Sequence, residues 1–411
     1  MSAGRGASAV RVRRPGGHEP AVADGRRPRV MYVFGSLERA GAQLRTLEVC
    51  RELDRRYGVD FELCSIGLGP DELGDDVARL GGSSRVVSMR SPRFPFAFSK
   101  MLRAGRFDVV STEPQLLSGL VVWLAAMHRV PTRIVTIHNT MGEPGQGATS
   151  PIVRRVLANR LFIAAMRLLM TRYATHVVAV SRSALDSVLP GLWASRCDTR
   201  VLYNGTATDP FEAFAERDQV REEFGWPADA RIVINVGRFV EQKNHRTILR
   251  AMRAVHERDA AARLLLVGTG ALREEVEGLI DELGLRDVCA LTSDRTDVPR
   301  LLLASDIFFF PSSWEGLPGA PLEALAAGLP LVASDIPSIR EIAPFFDGAV
   351  LTAPSTDAQA HAEHIAHALG ATHDRDAARR RFAATPFALE HAVDAYRSLY
   401  GLGERGERGA A

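Results

Sequence analysis

Short runs that are apolar at nearly every position, bounded by turn residues, constrain this chain more than any other feature. Ile307-Phe308-Phe309-Phe310, ended by Pro311 and Ser312, and Ile232-Val233-Ile234-Asn235-Val236, ended by Gly237, are the clearest. A strand with one face in water alternates apolar and polar residues. A run without alternation belongs to a strand covered on both faces, the condition of a parallel sheet flanked by helices. Further strands are predicted at Arg29 to Phe34, Phe61 to Ile66, Arg85 to Met89, Val109 to Ser111, Arg133 to Ile137 and Val177 to Val180. Helical segments separate them, such as Gln43 to Tyr57, with Leu44, Leu47 and Leu53 on related faces, and Thr247 to Arg258. This strand–helix alternation predicts an α/β chain of doubly wound parallel sheets. At 411 residues, 46% of them hydrophobic, it can bury two cores. The turn-rich stretch Tyr203 to Pro210 reads as the junction, placing one domain over 29–205 and a second over 206–385.

Ligands of such sheets sit beyond the carboxyl ends of the strands, so the segments leaving the runs are where function is sought. After Ile307 to Phe310 comes a Gly/Pro turn and then a helix, with Pro321 in its first turn and Gly328 and Pro330 at its end. The amides of Gly319, Ala320 and Leu322 are predicted to point free at the crevice, an anion site reinforced by the helix dipole; Pro318 and Pro321 donate nothing. Glu315 and Glu323 flank that turn. Carboxylates repel phosphate and accept from hydroxyls, so a phosphorylated sugar or a ribose fits both features. From the other run, Gly237 to His245 carries Arg238 and Lys243 off a second strand end. The chain has 49 arginines against two lysines, Lys100 and Lys243, so a lysine that persists in this background marks a place for a compact point charge.

With these motifs in view, the segments GRFVEQKNH (237–245), LLLVGTG (264–270), LGLRDV (283–288), ASDIFFFPSSWEGLP (304–318), LEALAAGLPLVASD (322–335) and IREI (339–342) resemble the retaining nucleotide-sugar glycosyltransferases of glycosyltransferase family 4. The resemblance implies the GT-B fold, two Rossmann-like domains facing each other across a cleft. It implies that Arg238 and Lys243 bind the donor diphosphate, that Glu315 lies by the transferred sugar, and that Glu323 holds the donor ribose. It also implies that Thr292, in Ala290 to Asp294, borders the nucleobase, although Ser293 stands where the family commonly has glycine; Ser338 is a similar departure before Glu341. In the first half, Ala40-Gly41-Ala42 resembles the family's first-loop glycine pair with one glycine replaced, and Gly41 keeps the backbone freedom such a loop needs. His138, at a strand end, matches a histidine near donor sugar and acceptor. Ser181 matches a serine facing the cleft, Glu113 is a candidate on the acceptor side, and Pro386 to Tyr400 resembles the last helix, which crosses back onto the first domain.

The expected activity is transfer of a hexose from a nucleoside diphosphate donor, a UDP-sugar, to an acceptor hydroxyl on a small molecule, lipid carrier or glycan, with neither metal nor other cofactor. A GT-B epimerase or phosphorylase is the alternative enzyme, and a non-catalytic sugar-nucleotide-binding module the alternative of another class. The net charge of +2 gives no argument for nucleic acid. Four scattered cysteines with no C-x2-C pair indicate a reduced, cytoplasmic setting with inert thiols. The longest apolar stretches, Leu116 to Met127 and Leu161 to Met170, fall short of the roughly 20 residues that span a bilayer. Residues 1–28, with six arginines and no apolar core, read as a disordered basic tail able to touch the inner face of a membrane only peripherally. His361, His364 and His367 are expected on a solvated helix rather than around a metal.

Overall fold

The computed structural model describes residues 26–39, 41–138, 159–212, 216–293 and 295–402. The chain forms two compact units: residues up to Leu202 with those from Val393 onward, and Tyr203–Ala392.

The first unit is a seven-stranded parallel sheet in the order β3-β2-β1-β4-β5-β6-β7. Its strands are β1 (Arg29–Phe34), β2 (Asp60–Ser65), β3 (Ser83–Val86), β4 (Val109–Thr112), β5 (Thr132–Ile137), β6 (His176–Ala179) and β7 (Thr199–Val201). Its helices are α1 (Gly41–Tyr57), α2 (Gly74–Arg79), α3 (Phe94–Gly105), α4 (Ser118–Met127), α5 (Arg160–Tyr173) and α6 (Arg182–Val188). The predicted strands are present within a few residues. β7 was not legible, because Thr-Arg-Val is short and half polar, as an edge strand can be. Strand numbering descends to β1 and then rises from β4, so the switch point lies between β1 and β4. Met31, Val33 and Val110 pack there against Phe94, Phe98, Met101, Val121 and Leu124.

The second unit repeats the plan with six parallel strands in the order β10-β9-β8-β11-β12-β13. These are β8 (Arg231–Val236), β9 (Ala262–Val267), β10 (Cys289–Thr292), β11 (Ile307–Phe310), β12 (Leu331–Ser334) and β13 (Val350–Ala353). The helices are α7 (Arg217–Glu223), α8 (His245–Arg258), α9 (Arg273–Glu282), α10 (Val298–Ala304), α11 (Gly319–Ala326), α12 (Pro337–Ile342), α13 (Ala358–Gly370) and α14 (Arg375–Ala383); α15 (Leu389–Tyr400), most of which belongs to the first unit, is the last helix among the described residues. The switch point here lies between β8 and β11, paired through Ile307 with Val233 and Phe308 with Ile234. The three phenylalanines of β11 are fully buried on alternating faces: Phe308 and Phe310 stack on one, and Phe309 joins the cluster of α8 and α13 on the other. Each contributes on the order of 2–3 kcal/mol of burial, which is why the run is apolar throughout.

Three expectations are corrected by these elements. Arg26 to Pro28 are bound rather than loose: Arg26 pairs with the buried Asp108, Arg27 donates to the Gly58 carbonyl, and Pro28 accepts from Asp60; residues 1–25 lie outside the described residues. Gly41 is the first residue of α1, not a loop residue with unusual backbone. A Cβ there would meet nothing within 4 Å; Ala40 is outside the described residues. His361 is fully buried against the Phe309 ring rather than solvated, because α13 turns that face to the core; only His367 of the three histidines is exposed.

Candidate active site

The switch point of the second unit brings the two motifs together. β8 delivers Gly237 and the loop that follows, and a 3-10 turn over Glu241–Lys243 ends at Asn244, whose φ is +55°. That turn is stitched to the segment leaving β11. Asn244 donates from its side-chain amide to the carbonyls of Pro311 (3.3 Å) and Ser355 (2.7 Å), Gln242 donates to the Trp314 carbonyl (2.7 Å), and the Ser313 amide donates back to the Gln242 carbonyl (2.8 Å). Held this way, Lys243 Nζ lies 2.5 Å from Glu315 Oε1 and 4.7 Å from the centroid of the Phe310 ring. The side chains are only 14% and 9% exposed, so the pair is largely shielded from water. A charge-assisted bond in that setting is stronger than a surface pair and costs more to break from one side. Arg238, by contrast, is exposed and forms no ion pair among the described residues, leaving its guanidinium available to a ligand.

Two glycines of the LLLVGTG segment make room for this loop. Gly268 and Gly270 have φ of +145° and +157°, and a Cβ on them would lie 2.2 Å from the Gly237 carbonyl oxygen and 2.4 Å from that of Phe239. Any other residue would push the Arg238–Lys243 loop off its seat. Behind it, His245 is buried edge-on to Phe239, and burial first, then the neighbouring Lys243 charge, pushes its imidazole down to about 4.

Helix α11 starts one residue after Pro318 and directs its N-terminus to the same strand end. The amides of Gly319 and Ala320 have no acceptor within the helix. Leu322 is corrected: it is the first position whose N–H finds an in-helix acceptor, the Pro318 carbonyl, so its amide is used by the fold. Glu323 follows on the same helix, half-buried. Ser312, Ser334 and Ser338, at the ends of β11 and β12 and on α12, are buried with hydroxyls lacking a hydrogen-bond partner among the described residues. The sequence marks Ser312 only as a strand stop and Ser338 only as a departure from the family pattern, and Ser334, Gln242 and Asn244 are not singled out there as site residues. Their position at or within a few residues of strand ends was the available signal. Thr292 ends the edge strand β10, two strands from β8, and is not part of this cluster; Asp294 lies outside the described residues.

In the first unit, Glu113 leaves β4 and His138 leaves the neighbouring β5, and the fold brings them together: His138 Nε2 is 3.1 Å from Glu113 Oε2, with side chains 9% and 7% exposed. The approach is close but poorly angled, and neither ring nitrogen completes a hydrogen bond among the described residues. Thr46 Oγ1 lies 3.3 Å from the other carboxylate oxygen. Two buried tyrosines are linked in the same unit, the Tyr400 hydroxyl donating to that of Tyr32 at 2.8 Å. Ser181 is corrected. It is fully buried and its hydroxyl caps α6, accepting from the Ala184 amide at 3.1 Å, so it serves the helix rather than a ligand. The four cysteines are unpaired, and burial pushes all four thiols up, Cys64 and Cys289 to about 12 and Cys197 to about 11, which leaves them unreactive.

Two parallel Rossmann-type sheets, each with charged side chains gathered at its strand ends, define a GT-B fold. Comparison with known proteins agrees: residues 216–383 match the family "Glycosyl transferases group 1", and residues 40–205 match "Glycosyl transferase 4-like domain". The chain is therefore a glycosyltransferase of GT-B fold. EpsF of Bacillus subtilis, a glycosyltransferase by assignment, is 27% identical over 75% of this chain and 79% of its own length. The capsular polysaccharide biosynthesis glycosyltransferase CapH of Staphylococcus aureus is 24% identical over 77% of this chain and 84% of its own. Among solved structures, Anabaena HepE in complex with UDP and glucose superposes with a TM-score of 0.72 at 16% identity, over 90% of this chain and 98% of that one. Among the described residues, no helix is long and apolar enough to cross a membrane.

Proposed function

We propose that the chain is a retaining transferase of glycosyltransferase family 4 that moves a hexose from a UDP-sugar to an acceptor hydroxyl without a metal. The Lys243–Glu315 ion pair carries this reading, because it ties the cationic motif to the first glutamate of E-x7-E across the switch point. Arg238, Lys243 and the amides of Gly319 and Ala320 neutralise the diphosphate as negative charge grows on the leaving group. Glu315 orients the sugar and steadies its electron-poor anomeric carbon. Glu323 accepts from the ribose hydroxyls, and Thr292 borders the nucleobase from the end of β10. On the first unit, His138, with Glu113 beside it, orients sugar or acceptor. The leaving phosphate assists deprotonation of the acceptor, so no side chain is assigned as covalent nucleophile. A UDP-sugar donor is supported by the UDP complex of HepE and by an Escherichia coli relative, 25% identical over 58% of this chain and 60% of its own, named as a UDP-Gal-dependent alpha-1,3-galactosyltransferase. Transfer, rather than epimerisation, phosphorolysis or binding alone, is favoured because all four charged positions are present.

The test is a panel of nucleotide sugars read by thermal stabilisation, followed by turnover with acceptor pools in the presence of a chelator and NMR of the product. Stabilisation by UDP-sugars and an anomeric configuration equal to that of the donor are expected. Inversion of that configuration would sink the retaining assignment, and loss of turnover on chelation the metal-free one.

A further inference from the structure

The first unit carries a surface that its glycosyltransferase site does not use. Helices α3, α4 and α5 all connect strands in the same direction along the sheet, so right-handed crossovers place them on one face, and α4 packs against both of the others. None of the three contains an Asp or Glu. The inner side of α3 is apolar: Phe94, Phe98, Met101 and Leu102 are buried. Its outer side, at spacings of three and four, is Arg93, Phe96, Lys100 and Arg103, all exposed, with Phe96 at 79%. These cations form no ion pair among the described residues, whereas arginines on other helices are matched to carboxylates, as in Arg253 with Glu257 and Arg273 with Glu277. Lys100 is the other lysine of the chain. The outer side of α5 repeats the character, with Leu161 at 81% and Leu168 at 51% exposure, and Met127 ends α4 at 65%. Half of the large apolar side chains exposed on the described surface therefore sit on this one acid-free layer.

From this coincidence we infer that the α3–α5 layer is a docking surface for an anionic phospholipid bilayer. Cations without internal partners suit lipid phosphates, and an aromatic ring standing between them on a helix face inserts at the headgroup level while the long basic stems spread over it. Charge alone would suit a nucleic acid or an acidic protein equally. The solvent-facing Phe96, Leu161 and Leu168 favour a surface with an apolar interior.

The experiment is flotation of the full chain with vesicles of phosphatidylcholine alone and of phosphatidylcholine with phosphatidylglycerol, at low and at 0.5 M salt, alongside the variant Phe96→Ser/Lys100→Glu/Arg103→Glu and the single variant Phe96→Ser. Binding to the anionic vesicles only, weakened by salt, cut about tenfold or more in the triple variant and measurably in the single one, is expected. An unchanged unfolding temperature and unchanged stabilisation by UDP in the variants separate this result from misfolding and from failure of the donor-site reading. Equal binding of wild type and triple variant would overturn the proposal and move the contact elsewhere, including to the N-terminal arginines. Retention of heparin but not of vesicles would overturn it in favour of a polyanion site.

Discussion

At the scale of single residues, Lys243 and Glu315 are the pair on which the site turns. Each is mostly buried, so removing one leaves the other charged and poorly solvated. Lys243→Ala is expected to weaken donor use by about 2 kcal/mol, roughly 30-fold, and Arg238→Ala by a similar amount from an exposed position that leaves the fold untouched. Calorimetric titration with UDP checks both, and a near wild-type Kd in both would remove them from the diphosphate site. The two should differ in stability: Lys243→Ala also lowers the unfolding midpoint, because Glu315 loses its partner, whereas Arg238→Ala does not. His245, one turn behind, lends no charge near neutral pH, being held down to about 4 by burial and by Lys243.

At the scale of elements, the loop leaving β8 is positioned by its neighbours rather than by its own propensity. Asn244 clips it to the ends of β11 and β13, and Gly268 and Gly270 let the segment after β9 pass beneath it. Gly270→Ala would place a methyl against the backbone of Phe239 at a φ of +157°. A cost of about 2 kcal/mol or more is expected, with loss of UDP binding out of proportion to the loss of stability, since the displaced segment carries Arg238. Urea unfolding and calorimetry on the same variant check this. Binding that falls only in step with stability would show that the loop does not depend on the glycine.

At the scale of the molecule, two buried histidines couple the second unit to pH. His245 and His361 are each pushed from 6.5 to about 4, chiefly by burial. Their folded values lie below their unfolded ones, so the unfolded chain binds protons the folded chain does not. Stability is complete above about pH 6.5 and falls as pH drops toward 4, by up to about 3 kcal/mol for each group. Unfolding midpoints in urea at pH 7 and pH 5 should differ accordingly. His361→Phe, which keeps the ring beside Phe309, should remove about half of that difference, and an undiminished difference would exclude His361 as its source.

The strands, their burial on both faces and the charged residues at their ends were legible in the sequence because each is a local pattern: an apolar run, a stop, a cation or carboxylate just beyond. The candidate pair Arg238 and Lys243 and the spacing of Glu315 to Glu323 come from that level alone. What only the tertiary structure decided is which strand ends are neighbours. The pairing of β8 with β11 brings Lys243 to Glu315, 72 residues apart, and that of β4 with β5 brings Glu113 near His138. It also decided which polar groups the fold consumes. Ser181 and Leu322 looked free in the sequence and are spent on helix ends, while His361 looked solvated and is buried, because capping, helix register and the facing of α13 depend on long-range packing that no short window of residues contains.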